Sequence, residues 1–263
     1  MANIAIIGGG NLGSAIAHGL IKSGKAAAQE IYITRNRIER LSALKELGVN
    51  VLRDNLKAVQ NSEIVIIAVK PYKVVEVING FKEALSADKH TLVSVATGIS
   101  TGDIMKTVGF KLPTFRAMPN TAVAMQESLT CICSSHAEVA HQQKIINLFN
   151  TVGQTVIIGE ELMEAATVLG ACGIAFVFRF MRAMAQGGIE IGFDAQTASA
   201  IAEQTVKGAA VMLMKGGLHP EQEIDKVTTP KGCTIAGLNE MEHQGFSSSL
   251  IKGIKTSYLK IEK

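Results

Sequence analysis

No two of the four cysteines, Cys131, Cys133, Cys172 and Cys233, stand in CxxC spacing, and none shares a zinc-like spacing with the six histidines. A disulfide framework and a zinc site are excluded on that ground, and reduced thiols point to a cytoplasmic protein. An excess of charge of one sign is also missing. The formal net charge is +3 and no Lys/Arg stripe forms, so nucleic acid is not expected as a partner. Ala165–Phe178, the longest uncharged and mostly apolar run, has 14 residues, short for a membrane span and suited to a buried helix. The Met1–Ile7 start reads as a strand without a basic leader, so neither a secretory signal nor a membrane is expected. No Ser/His/Asp or Cys/His constellation and no metal-ligand cluster stands out, which disfavours covalent and metal-assisted catalysis.

What is present is a core-forming chain: 47% of its 263 residues are hydrophobic. Strand-like runs at 3–7, 30–34, 63–70, 91–97, 114–118, 129–133 and 154–158 alternate with helix patterns at Leu12–Ile21, Ile38–Leu47 and Val139–Phe149. Several runs are continuously β-branched, as strands covered on both faces are. The expectation is a parallel sheet with crossover helices over residues 1–159. From Glu160 the strands stop, and helix patterns follow at Leu162–Ala185, Ala195–Met214, Ile235–Gln244 and Ser247–Ile261. The first two are apolar nearly all round and need burial on every side. One hundred residues of helix offer little interior, so 160–263 is expected to pack against a second subunit.

The stretch "IAIIGGGNLGSAIAHGL" sets Gly8, Gly10 and Gly13 in G-x-G-x-x-G spacing between a strand and a helix. In that context the first glycine makes the turn, the second admits a pyrophosphate, and the third lets helix and strand touch. The backbone amides at the helix start, around Asn11 and Leu12, are donors for phosphate. Where an acid would grip the ribose of NADH, the chain reads Thr34-Arg35-Asn36-Arg37, which suits a 2′-phosphate. NADPH is therefore expected as cofactor, with NADH as the alternative. Two further strand ends, Ala68-Val69-Lys70-Pro71 and Ala96-Thr97-Gly98, are candidate ligand loops, and Asn120 in "AMPNT" is placed to meet the nicotinamide or substrate edge.

Near the end, "TTPKGCT" leads from Thr228 into a helix expected to start at Cys233 or Thr234. The N–H groups of Gly232, Cys233 and Thr234 would then lack intrahelical partners and suit a carboxylate. Thr229 and Thr234 add hydroxyls, although a plain N-cap by Thr234 explains that threonine equally well. Lys231 opposes the helix dipole unless an anion is near.

"GGGNLGSAIAHGL", "AVKP", "FRAMPNT" and above all "DKVTTPKGCTIAGLNEMEHQGFSSSLIKGI" resemble the pyrroline-5-carboxylate reductase family over essentially the whole chain. The resemblance implies an α/β Rossmann-like doubly wound sheet in 1–159 and an all-α substrate-binding and dimerisation domain in 160–263. It implies a homodimer at least, with larger rings such as decamers known in the family. It implies reduction of Δ1-pyrroline-5-carboxylate to L-proline, the last step of proline biosynthesis, without a metal. Carried over residue by residue, it adds Asn55 to the cofactor contacts, with Ala68, Lys70, Pro71 and Ala96. It sets the substrate carboxylate at Thr229 and the Gly232–Thr234 backbone, with the Thr234 hydroxyl near the imine nitrogen. Two departures stand out. Lys231 replaces a glycine, and Gly170-Ala171-Cys172-Gly173-Ile174-Ala175-Phe176 replaces a Ser-Gly-Ser-Gly-Pro-Ala-Tyr segment. From the residues alone, two other readings stay open: a related NADP-dependent imine or β-hydroxyacid reductase, and a non-catalytic cofactor-binding protein. A β-hydroxyacid dehydrogenase would carry a lysine on the helix after the first domain, and Ala165–Phe178 has none.

Overall fold

The computed structural model describes residues 2–261. An eight-stranded sheet runs in the order β3-β2-β1-β4-β5-β6-β7-β8. Its strands are β1 (Ile4–Ile7), β2 (Ile31–Thr34), β3 (Asn50–Leu52), β4 (Ile64–Ile67), β5 (Thr91–Ser94), β6 (Thr114–Met118), β7 (Ser128–Ser135) and β8 (Gly153–Ile157). β1 and β4 are buried at every position, which explains why their sequences do not alternate. Ile4 and Ile6 face one core with α1 (Asn11–Lys22). Ala5 and Ile7 face the other, with α3 (Asn55–Gln60) and α4 (Val74–Asn79), because successive strand residues point to opposite sides. Short α2 (Ser42–Glu46) follows β2, and α5 (Thr101–Val108) and α6 (Val139–Asn150) complete the two layers.

The expected parallel sheet is interrupted at one pair. β7 pairs with β6 antiparallel, Arg116 opposite Cys133. The link 119–127 holds only a single 3₁₀ turn, Thr121–Met125, too short for the crossover a parallel neighbour needs. The run at 63–70 also stops being strand at Ile67, so Ala68 and Val69 belong to a loop.

β1 lies between β2 and β4, and the chain leaves it first toward β2 and β3, then returns to the other side at β4. Strand order therefore reverses at β1, and ligands of open sheets bind at the carboxyl ends beside such a point. The loops after β1 to β6 all open at that edge, since these strands are mutually parallel.

Away from this edge, His90 is 2% exposed. Its Nδ1 accepts the Ser86 N–H at 3.0 Å and its Nε2 faces the Val59 carbonyl at 3.3 Å, which only the neutral ring satisfies. Burial pushes its pKa below the ordinary 6.5. The unfolded chain then binds more protons than the folded one below that value, so stability is complete above pH ~6.5 and falls as the pH drops toward the lowered pKa. His90→Gln is expected to cost about 1–2 kcal/mol at pH 7.5. Urea melts from pH 7.5 to 5.5 should show a shallower loss of stability for this variant than for wild type. Parallel losses would remove His90 from the pH dependence.

The described residues form two compact units, one ending at Cys172 and including the chain from Tyr258, the other Gly173–Ser257. The division expected at 159/160 follows the last strand, whereas the first compact unit runs on to Cys172. The reason is local: Arg116 on β6, 2% exposed, pairs with Glu160 at 3.4 Å and Glu164 at 2.8 Å. Glu160 also accepts the Thr101 N–H and hydroxyl, both at 2.7 Å. Met163, on the one-turn α7 (Met163–Ala166), packs with Met118 and Cys133. Residues 160–166 are thus fastened to the sheet.

The second unit comprises α8 (Gly173–Glu190), α9 (Ala195–Gly216), α10 (Pro220–Lys226), α11 (Cys233–His243) and most of α12 (Phe246–Ile261). The His219-Pro220 pair, read as a turn, starts α10, with His219 as its N-cap and proline in its first turn. Among the described residues, the buried hydrophobic cluster of this unit is Ala185, Ala198 and Ala202. Phe178, Ile191, Ile201, Met212 and Met214 are among its exposed apolar side chains. The 14-residue run expected to be a buried helix belongs to a longer helical stretch, Glu160–Glu190, which is mostly uncovered by the chain itself and long and apolar enough to cross a membrane by length and composition.

Candidate functional site

At the end of β1 the backbone turns through Gly8, whose φ is +113°. A Cβ there would lie 2.6 Å from the Ala68 carbonyl oxygen, so conformation and space both demand glycine. Gly13 packs so closely that a Cβ would fall 2.1 Å from the Gly8 oxygen. Gly10 is the opposite case: a Cβ there meets nothing within 4 Å. The loop is crowded toward the protein and open at Gly10. Gly10 is the N-cap of α1, no side chain caps it, and the first turn, with exposed Asn11 and half-buried Leu12, contains no acid. Free amides and an uncompensated helix dipole fit a pyrophosphate at this loop.

Thr34 and Arg35 brace the loop. The Gly8 N–H donates to Thr34 Oγ1 at 3.3 Å and the Gly9 N–H to the Thr34 carbonyl at 2.7 Å. The Arg35 guanidinium donates to the Gly9 carbonyl. One Arg35 nitrogen is thus bound to the protein backbone, while Arg37 is exposed and makes no ion pair among the described residues. Asn55 opens α3, with its side chain making no hydrogen bond among the described residues. The Ala68 N–H donates to the Ile7 carbonyl at 2.8 Å, which ties the loop after β4 to that after β1. Val69 packs against the second core, Pro71 begins a 3₁₀ turn, and Lys70 is exposed without an ion pair among the described residues. Ala96 is 4% exposed at the end of β5.

Asn120 makes two hydrogen bonds within the protein. Its Oδ1 accepts the Ala122 N–H at 2.9 Å and its Nδ2 donates to the Gly170 carbonyl at 3.2 Å. The side chain fixes the 3₁₀ turn and the segment bearing the Gly170–Phe176 departure, part of which, Thr167–Cys172, is π-helical. Sequence reading missed that tether and the Arg116 clamp. The available signal for the clamp was an arginine inside an otherwise buried strand.

In the second unit, Thr229-Pro230-Lys231-Gly232 is a β-turn closed by the Gly232 N–H on the Thr229 carbonyl at 2.9 Å. Proline stands second, and Lys231 third with φ +60°, the position where a turn of this kind favours glycine. The departure at Lys231 therefore has a conformational cost of about 1 kcal/mol. Lys231→Gly should raise stability by up to about 1 kcal/mol, the strain relief offset in part by added chain entropy. A lowered melting temperature would contradict this account.

Gly232 is also tightly held, since a Cβ would meet Thr229 Oγ1 at 2.6 Å. Its N–H closes the turn, so it is not a free donor to a carboxylate, contrary to expectation. The helix α11 starts at Cys233 with Gly232 as N-cap and no side-chain cap. Thr234 therefore does not cap the helix. The amides of Cys233 and Thr234, with the Thr234 and exposed Thr229 hydroxyls, form the donor group that remains.

An open, mostly parallel sheet, a glycine loop at its switch point and an uncapped first helix define a dinucleotide-binding protein of the Rossmann type, here joined to an all-helical region. Two Dictyostelium discoideum relatives, pyrroline-5-carboxylate reductases 1 and 2, are 44% and 43% identical over 97% and 99% of this chain. The chain belongs to the pyrroline-5-carboxylate reductase family. It spans 48% of the length of the first relative and 92% of the second. Residues 160–263 match the family described as pyrroline-5-carboxylate reductase dimerisation, and 3–98 match NADP oxidoreductase coenzyme F420-dependent. A pyrroline-5-carboxylate reductase from Coxiella burnetii is 28% identical with a TM-score of 0.88, covering 99% of this chain and 97% of that one. The Plasmodium falciparum pyrroline carboxylate reductase with NADP bound, at 24% identity, a TM-score of 0.91 and the same coverages, shares the fold.

Proposed function

We propose that this chain reduces Δ1-pyrroline-5-carboxylate to L-proline with NADPH, the last step of proline biosynthesis. The observation that carries the reading is 43% identity to a reductase of that name across 92% of its length. NADPH, held by the glycine loop, would supply the hydride that reduces the C=N carbon of the cyclic imine.

The chain's residues act by binding and orientation, which accounts for most of the rate when the electrophile is already reactive. Gly8–Gly13 and the α1 amides hold the pyrophosphate, and Ala68–Pro71, Ala96 and Asn55 line the remaining cofactor path. The Cys233 and Thr234 amides and the Thr229 hydroxyl hold the substrate carboxylate. The Thr234 hydroxyl hydrogen-bonds the imine nitrogen and keeps a proton there as the carbon accepts hydride. Thr34 and Arg35 keep the phosphate loop in shape through their bonds to Gly8 and Gly9.

The exposed apolar faces of α8 and α9 support a homodimer at least, in which a second copy covers them, with a decamer as the larger ring. Sedimentation of the purified protein reads both. Soluble cytoplasmic residence accords with four unpaired cysteines.

The assay is loss of NADPH absorbance at 340 nm on adding Δ1-pyrroline-5-carboxylate, repeated with NADH. Substrate-dependent oxidation, faster with NADPH, is the expected result. A folded protein that binds NADPH but turns over no cyclic imine would overturn the reading.

A further inference from the structure

The NADPH preference rests on the proposed cofactor reading, and the side chains behind it differ from those the sequence singles out. In a dinucleotide-binding sheet the adenosine ribose lies beyond the strand that follows the glycine loop, here β2. Arg35, first past that strand, is turned inward onto the Gly9 carbonyl. Its backbone N–H donates to the Leu52 carbonyl at 3.1 Å, continuing the pairing of β2 with β3 beyond their ends. That bond draws the segment after β3 alongside the one after β2.

Arg53 follows Leu52 directly. Its guanidinium pairs with Glu39 at 3.1 Å, both side chains being about two-thirds exposed at 65% and 68%. Glu39 stands just after Arg37. Its carboxyl is held below the usual range, first by its own backbone amide, then by Arg53 and least by Arg37. The neighbouring acid Asp54 is occupied in capping α3, where it accepts the Leu56 N–H at 2.9 Å. The rim of β2 and β3 thus carries Arg53, paired with one solvated carboxylate, and the exposed Arg37, which makes no ion pair among the described residues. Such an exposed pair adds little stability and is easily exchanged. A phosphate dianion offers bidentate, charge-assisted bonds to the same arginines and is the stronger competitor.

We propose that Arg53, with Arg37, forms the seat of the NADPH 2′-phosphate, and that Glu39 is the exchangeable anion with which this phosphate competes. Arg53 is thereby a cofactor-specificity residue some forty positions beyond the glycine loop, outside the window where the sequence pattern looks for one.

The test is equilibrium binding to the full-length protein, using NADPH, NADH, adenosine 2′,5′-bisphosphate and 5′-AMP as probes. The last two differ only in the 2′-phosphate. Arg53→Gln is expected to weaken NADPH and the bisphosphate about tenfold, the loss of one charge-assisted pair, with NADH and AMP changed less than twofold. Arg53→Lys should fall between Arg53→Gln and wild type. Glu39→Gln should tighten NADPH and leave NADH unaltered. Equal losses for NADPH and NADH, no loss for either, or weaker NADPH binding in Glu39→Gln would each overturn the proposal. Wild-type protein that does not distinguish the bisphosphate from AMP would also overturn it, while leaving imine reduction with NADH standing. Conversely, specific loss of bisphosphate binding in a protein without imine turnover would uphold this seat and reject the reductase reading.

Discussion

Gly10→Ala is expected to fold nearly as well as wild type and to bind NADPH ten- to hundredfold more weakly. The added methyl meets no protein atom within 4 Å, so nothing in the fold must move to receive it. The loss of a preferred N-cap glycine costs no more than about 1 kcal/mol. The space it enters is that of the pyrophosphate, where one surplus methyl costs about 1–3 kcal/mol of binding. Gly13→Ala makes the contrast. Its Cβ would fall 2.1 Å from a backbone oxygen, so folding itself should suffer. Melting temperature and NADPH fluorescence, measured on both variants, separate the two roles. Unchanged NADPH affinity in Gly10→Ala would place the pyrophosphate elsewhere.

Thr234→Ala should lower kcat with Δ1-pyrroline-5-carboxylate by about a hundredfold, the low end for a lost proton-handling group. NADPH affinity and melting temperature should hold, because Gly232 and not Thr234 caps α11. Thr234→Ser keeps the hydroxyl and should recover most of the rate. If Thr234→Ala turned over like wild type, the hydroxyl would have no part in the step.

Much of the dinucleotide half was legible because its signals are local. Four-residue apolar runs, glycines at fixed spacing and a strand–turn–helix context need no partner to be read. The three residues of β3 are too few to form a pattern, and the short α3, α4 and α5 were passed over for the same reason. The direction of β7 depends on the length of its connection, which periodicity does not encode. Helix α10 hid behind a histidine N-cap, outside the usual Ser, Thr, Asp and Asn.

At the candidate site, residue types were easier to read than their commitments. Arg35, Asn120 and the Gly232 amide all looked available for ligand. Each makes a hydrogen bond to a backbone group: the Gly9 carbonyl, the Gly170 carbonyl and the Thr229 carbonyl. A sequence displays donors and acceptors but not which of them the fold has already paired. Lys231 shows the converse. Its departure from glycine is obvious in sequence, but only the positive φ says why glycine belongs there.

Three alanines make a poor interior for the unit Gly173–Ser257. A region closed so thinly has little independent melting transition, and most of its cohesion must be supplied by whatever covers its outer faces. If that cover is another copy, stability becomes a function of abundance: dilute chains lose their helical half first, and newly made ones acquire it only on meeting a neighbour. A harmful substitution on these helices would then be felt by its normal neighbours too, because each chain serves as part of the next one's core.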